Sequence, residues 1–503
     1  MAYTKTTNGA TSLKSSGSNI VDYFMMFSRD LSKEISYNYL EKCWKEDPKK
    51  TIAIIFNGRD RVNGKKEKKI ANEAMMWLRR NKFATYQDNL TNYVDKYGCW
   101  KDMLYIVYYH NKEVNNKNYE LQIFSKKLLN DVILLKDEKK ISLCAKWAPS
   151  ENDRNDKRKH MAKRLATQIY GLDDDKRMEK YRKEIIAPLR KKINIVESLM
   201  CSNKWSDIKY ECVPGVASKR LLKAFMKHDE QRYTEYLNAV RNGEKEIKVT
   251  GILPHELAKY YIDNRYNDTE GPNETIELQW LTILNNVKKS GNFDNALAIV
   301  DVSGSMFSAS NGSIPAQVAI ALGILTSQCC NGKFKDKFIT FSEEPELVTL
   351  EYKEPTLFES LNSMININYG FSTDFVKCCE AIISYGIKHD IPDSEMPKKL
   401  FVFTDMQFNH ASEGRDGIET IYKNIIRKYK LSGYTAPKFV FWNLSSDNNE
   451  TFPVNCDTEG TAMVSGFSEQ LLKIFMQYDE FKPEFIVDEI LKPYLDSIII
   501  SDD

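Results

Sequence analysis

The sequence predicts an α-helical array over residues 20–287 and, after a short linker at 288–293, an α/β doubly wound domain over 294–503. Three observations predict this. Before residue 288, apolar residues recur at spacings of three and four, the period of an amphipathic helix. After 294, short apolar runs alternate with helical segments, as in a sheet covered by helices on both faces. The charge also changes sign there: residues 1–293 carry 55 Lys and Arg against 39 Asp and Glu, whereas residues 294–503 carry 17 against 31.

The first nineteen residues are polar, rich in Ser and Thr, and lack the apolar core of a secretory signal, so they are read as a flexible tail. The helical period is clearest in "IANEAMMWLRRN" (70–81), "LTNYVDKYGCWKDMLYIVYYH" (90–110), "YELQIFSKKLLNDVILL" (119–135) and "HELAKYYIDNRY" (255–266). Breakers such as Asn63-Gly64, Pro149, Pro214-Gly215 and Gly251 separate them. "TIAIIF" (51–56) is apolar enough for a strand, but a lone strand would have no partner, so helix is expected. No fixed-period repeat emerges, which favours an irregular array of antiparallel helix pairs.

After the linker "KKSGNF", the run "ALAIVDV" (296–302) reads as a buried strand and "IPAQVAIALGILTSQCC" (314–330) as a buried helix. "DKFITFS" (336–342) and "ELVTLEY" (346–352) form a hairpin-like pair. A helix at 374–389, a strand at 398–405, a helix at 417–431 and a strand at 438–444 continue the alternation, and a helical region at 467–493 closes it.

No run reaches the eighteen or so apolar residues of a membrane span, so no membrane partner is expected. Ten scattered cysteines without C-x-x-C or zinc-ligand spacing point to a reduced, cytoplasmic setting. Residues 157–192 hold 13 basic and 5 acidic side chains, enough to attract a polyanion such as RNA. Arg158, Lys159, Lys163 and Arg164, with Arg190, Lys191 and Lys192, are the candidates for backbone phosphates. Trp77, Trp100, Trp147 and Trp205 can in principle stack on bases, but their helical spacing within apolar runs predicts core positions.

The densest chemistry lies in "LAIVDVSGSMFSAS" (297–310), where a buried strand ends in Asp301 and is followed by Ser303 and Ser305. Open α/β sheets bind ligands at such strand ends. "GFSTDF" (370–375) brings Thr373 to a loop before a helix, and "FVFTDMQF" (401–408) ends a second strand in Asp405. An oxygen-only set of two Ser hydroxyls, a Thr hydroxyl and two carboxylates suits a hard divalent cation, Mg²⁺ or Mn²⁺ ahead of Ca²⁺.

This arrangement resembles the metal-ion-dependent adhesion site of von Willebrand factor A domains, with a match over about residues 294–480. The resemblance implies that Ser303, Ser305 and Thr373 bind the ion through their hydroxyls, and that Asp301 and Asp405 reach it directly or through water. It also implies an incomplete coordination shell that a protein partner's acidic side chain fills. A helical array before an A domain resembles the TROVE family, the ring-shaped Ro autoantigen-type RNA-binding proteins, and so implies HEAT-like helices able to close into a ring. "YGCWKDMLYIVYYH" (97–110), "ISLCAKWAPSENDRNDKRKHMAKRLATQIYG" (141–171), "FTDMQF" (403–408) and "VSGFSEQLLKIF" (464–475) look closest to a TROVE-like family of plants, fungi and giant viruses. That likeness implies a fold and a site rather than an activity. The Lys- and Asn-rich composition suits an AT-rich genome and is compatible with a viral source, for which a virion-associated location stands as the alternative to a cytoplasmic one.

Catalytic signatures are missing. There is no G-x-x-x-x-G-K-[ST] loop, "PHELAK" (254–259) lacks the second His of a zinc protease, and "GFSEQ" (466–470) fails G-x-S-x-G. A strand-terminal Asp beside a divalent ion can serve a phosphatase, but Ser303 stands where such enzymes commonly place a second acid. The expectation is a non-enzymatic protein that binds a partner through metal and RNA through its basic half. The alternative is a protein-interaction scaffold or virion component without RNA.

Overall fold

The computed structural model describes every residue except 1–2, 7–8, 10, 111–117, 152–159, 265–270, 292, 308–313, 342–344, 346, 352–355, 365–373, 409–417, 445–449, 479–480 and 502–503. The chain forms two compact units: Met1–Ala74 with Pro214–Leu222 and Thr234–Ile500, and Met75–Val213 with Lys223–Tyr233 and Ser501–Asp503.

The larger unit holds all ten described strands: β1 (Tyr3–Lys5), β2 (Thr11–Leu13), β3 (Phe293–Asp294), β4 (Ala296–Val300), β5 (Cys330–Asn331), β6 (Lys337–Thr340), β7 (Leu347–Thr349), β8 (Lys399–Thr404), β9 (Lys438–Asn443) and β10 (Thr461–Ser465). Six of them make one mixed sheet in the order β10-β9-β8-β4-β6-β7. β4, β6, β8, β9 and β10 run parallel, and β7 pairs antiparallel to β6 at the edge. From β4 the chain first builds outward through β6 and β7, then returns to the other side of β4 to lay down β8, β9 and β10. The reversal falls between β4 and β8, the place where open α/β sheets leave a crevice at the strands' carboxyl ends.

All five residues of β4 are buried, and so are all fifteen of the helix Pro315–Cys329. That helix packs on β4, β6 and β8 with one side and on the helices Pro254–Asn264 and Glu274–Lys288 with the other. Covered on both sides, it needs no polar face, which explains its nearly continuous apolar sequence. Gly323 lets it lie close to the sheet, since a Cβ there would sit 2.4 Å from Val300 Cγ2. Near its C-terminal end a polar network is satisfied: Trp280 Nε1 donates to Gln328 Oε1 (2.8 Å), and Gln328 Nε2 donates to Ser360 Oγ (3.0 Å).

Two expectations change, and the packing adds a finding about the compact units. The compact division does not follow the linker: residues 1–74 pack with the sheet. The helix Asn19–Met26 lies on β10, and the helix Pro48–Arg59 lies on Pro483–Leu495, which also touches β10. "TIAIIF" is helical within Pro48–Arg59, and it is buried through these long-range contacts rather than within a helical array. The segment read as a flexible tail is instead tied down. β1 and β2 pair antiparallel, Ser12 and Leu13 are buried, and Leu13 exchanges backbone hydrogen bonds with Phe452 at 3.0 and 2.9 Å. Lastly, β10 was not predicted; five residues flanked by Gly460 and Gly466 form a fully buried strand too short to show alternation.

The smaller unit is helical, with no strand among its described residues. The helix Tyr119–Lys136 is its spine: the helices Trp100–His110, Cys144–Trp147, Met161–Tyr170 and Ala187–Ile193 all pack against it. Trp100 is buried edge-on to Phe124 at 5.2 Å, and Trp77 in the adjoining helix Lys68–Asn81 is also buried.

Candidate metal centre

β4 and β8 are neighbours, with Val300 opposite Phe403, so the residues that follow them emerge side by side. Asp301 and Asp405 are these residues; they are 0% and 4% exposed. Asp301 continues the ladder by one bond, its N–H donating to the Phe403 carbonyl (3.0 Å). The chain then turns: Ser303 N–H donates back to Asp301 Oδ1 (2.9 Å), and residues Gly304–Phe307 form a single 3₁₀ turn. This brings the hydroxyls of Ser303 and Ser305 within 3.2 Å of each other, Ser303 buried and Ser305 exposed. Two cis ligands of an octahedral Mg²⁺, each about 2.0–2.1 Å from the ion, are about 3 Å apart, so this spacing fits a shared cation.

On the β8 side, Thr404 Oγ1 donates to Asp301 Oδ2 (2.6 Å) and accepts from Met406 N–H (3.2 Å). Met406 adopts a left-handed backbone (φ 64°), uncommon outside glycine, which swings Gln407 N–H back onto Asp405 Oδ1 (3.0 Å). Thr404 was not among the predicted site residues. The available signal was its place in "FVFTD", immediately before the strand-ending Asp.

Two buried carboxyls now share one corner. Burial, and then the charge of Asp405, push the Asp301 carboxyl from 3.8 up to about 6, against the pull of hydrogen bonds from Thr404 and Ser303. Such a pair is costly to ionise alone, and a divalent cation would relieve it. Buried carboxylates and converging hydroxyls are a donor set that suits a hard ion. Thr373 lies outside the described residues. Its neighbour Asp374 caps the helix Phe375–Lys388, accepting from Val376 and Lys377 N–H at 3.0 and 3.1 Å. Among the described residues, no three His, Cys, Asp or Glu side chains form a metal-holding group, so any ion here depends on hydroxyl donors.

The family model "Domain of unknown function (DUF2828)" matches residues 6–122 and 120–293, more than half of the sequence. The chain belongs to the DUF2828 family. A second model, "Domain of unknown function (DUF7788)", matches residues 295–492 and so contains Asp301, Ser303, Ser305, Thr373 and Asp405. An uncharacterised protein of Acanthamoeba polyphaga mimivirus is 33% identical over 518 residues, covering 97% of this chain and 87% of that protein. The giant-virus relationship expected from the sequence is therefore present.

The predicted phosphate-binding residues of this DUF2828 chain fare unevenly. Arg158 and Lys159 lie outside the described residues. Lys163, Lys191 and Lys192 are exposed, while Arg164 is half-buried and places Nη1 3.8 Å from Met161 Sδ. Arg190 instead braces the fold, donating from Nε to the Ala145 carbonyl (3.0 Å), from Nη1 to Ser150 Oγ (2.8 Å) and from Nη2 to the Ala148 carbonyl (2.5 Å). Three of its five N–H donors are thus committed to the fold, so Arg190 serves helix packing in addition to adding charge to the basic run. Two tryptophans expected in the core are only half-buried. The Trp147 ring has Lys101 Nζ at 5.2 Å and Lys146 Nζ at 5.5 Å from its centroid, and Trp205 stacks on His228 at 4.8 Å. No helix among the described residues is long and apolar enough to cross a membrane.

Proposed function

We propose that this protein is a non-enzymatic binding protein whose α/β body is a von Willebrand factor A-type domain that presents Mg²⁺ or Mn²⁺ to an acidic side chain of a protein partner. The observation that carries this reading is the meeting of Asp301, Ser303, Ser305 and Asp405 at the carboxyl ends of two adjacent parallel strands. Asp301 Oδ1 and Oδ2 already accept from Ser303 N–H and Thr404 Oγ1, which suits an ion-orienting carboxylate better than an attacking nucleophile. Thr373 completes the donor set in this reading, and the ion keeps one position for the partner.

Calorimetry with Mg²⁺ and Mn²⁺ on the full chain, and on a variant carrying Asp301→Ala and Ser303→Ala, tests it. Binding heat in the wild type that disappears in the variant is expected; equal heats would overturn the reading.

The second part of the proposal is RNA binding by the smaller unit, with a HEAT-like helical character. The support is electrostatic: that unit carries 32 Lys and Arg against 23 Asp and Glu, whereas the larger unit carries 40 against 47. An RNA affinity that falls steeply with salt, and falls again with Lys163, Lys191 and Lys192 changed to Glu, is expected. RNA binding absent at moderate ionic strength would leave the protein as a metal-dependent scaffold.

A further inference from the structure

The hairpin of β1 and β2 does more than fill a surface. Thr6, 4% exposed, donates its hydroxyl to the Phe408 carbonyl at 2.9 Å, across 402 residues of sequence. Phe408 is the far end of the turn that begins at Asp405, and within that turn Gln407 N–H sets the Asp405 carboxylate. The Phe408 ring is itself a hub. It meets Phe341 beyond β6 (6.3 Å), Phe441 in β9 (6.3 Å) and Phe375 (5.8 Å), the first residue of the helix capped by Asp374. At the other end of the hairpin, Ser12 Oγ donates to the Phe452 carbonyl (2.8 Å) beside the two Leu13 backbone bonds. Through one buried carbonyl, then, the hairpin touches the turn that orients Asp405 and the aromatic cluster beneath the helix that follows Thr373.

We infer that the β1–β2 strand pair, with Thr6, is a latch on the metal rim, so that its docking and metal occupancy favour each other. This rests on the metal reading above. An ion that pulls Asp405 into one orientation fixes the 405–408 turn, and with it the carbonyl that Thr6 needs. A docked Thr6 in turn holds that turn in the metal-ready geometry. Coupling between two binding events is reciprocal, so the factor by which metal tightens the hairpin equals the factor by which the hairpin tightens metal. Loops that move are drawn from the less stable parts of a fold, and a short hairpin held by a handful of bonds is such a part.

The test is hydrogen exchange on the full-length protein with and without saturating Mn²⁺, with calorimetry on the same samples. The amides of β1 and β2 are expected to exchange about fivefold or more slowly with Mn²⁺, and Thr6→Val, which keeps the side chain's shape, is expected to lose most of that protection and to bind Mn²⁺ several-fold more weakly. Wild-type exchange that is unchanged while calorimetry shows Mn²⁺ bound would overturn the latch. Absence of Mn²⁺ binding to the wild type would overturn the metal reading itself, and the latch with it.

Discussion

Changing Asp301 to Asn should make the metal-free protein more stable while abolishing its response to metal. The carboxyl of Asp301 is raised from 3.8 to about 6 by burial and by Asp405. A raised carboxyl stabilises the folded state in its protonated form, so that stability is fully present below about pH 4 and is lost as pH rises through about 6. At 1.36 kcal/mol per pH unit the loss is ~3 kcal/mol above pH 6. Asparagine carries no charge, but it can accept from only one of Ser303 N–H and Thr404 Oγ1, a cost of about 1 kcal/mol. The net gain in chelator at pH 7.5 is ~2 kcal/mol, visible as a rise of a few degrees in the unfolding midpoint. At pH 4 the advantage disappears, because the wild-type carboxyl is then protonated. Added Mg²⁺ or Mn²⁺ at 100 times its dissociation constant should raise the wild type by about 2.7 kcal/mol and leave the variant unmoved. Thermal unfolding in EDTA and in Mn²⁺, at pH 4 and 7.5, reads all four states. An Asn variant that is no more stable than wild type in EDTA at pH 7.5 would refute the cost of ionising a buried Asp301 beside Asp405.

Metal affinity in the wild type should be level above about pH 6 and fall about tenfold per unit below it, because the ion and the Asp301 proton compete; calorimetry at pH 5, 6 and 7 checks the slope. Thr404→Val removes the hydroxyl that favours the ionised carboxylate, so the same fall should begin at higher pH. Gly323→Ala should cost about 1–3 kcal/mol by forcing the helix off β4, despite the better helix former, and adding Val300→Ala should recover part of the loss in a double-mutant cycle. Lys65 is fully buried, its ammonium donating to the Phe24 carbonyl, the Phe27 carbonyl (3.2 Å) and Ser465 Oγ (2.7 Å), with the Phe24 ring 3.9 Å away. Lys65→Met should therefore destabilise by roughly 2–4 kcal/mol in denaturant titrations, since it strips donors from buried carbonyls at the end of the helix Asn19–Met26.

The parts of this molecule written locally were legible. β4 announces itself as an unbroken apolar run stopped by an acid, and β8 repeats the pattern a hundred residues later, so the carboxylates at 301 and 405 could be paired through the topology of parallel sheets alone. The uniformly apolar helix Pro315–Cys329 likewise declares its burial. What escaped was written in distant contacts. Nothing local in "PKKTIAIIFNGR" says that it will lie on Pro483–Leu495, and nothing in the Ser- and Thr-rich opening segment shows that its hydroxyls will meet the carbonyls of Phe408 and Phe452. Arg190 reads as one more basic side chain until the carbonyls of Ala145 and Ala148 appear beside it. Thr373, Arg158 and Lys159 fall outside the described residues.

The pairing of Leu13 with Phe452 also has a consequence in time. Ser12 leaves the ribosome 440 residues before Phe452, its partner. At about 5–20 residues per second, that is an interval of ~20–90 s. A two-stranded hairpin is marginal in water by itself, so during translation residues 3–13 stay open to any chaperone or modifying enzyme that meets the nascent chain. That window closes only when the last parallel strands of the sheet have been made.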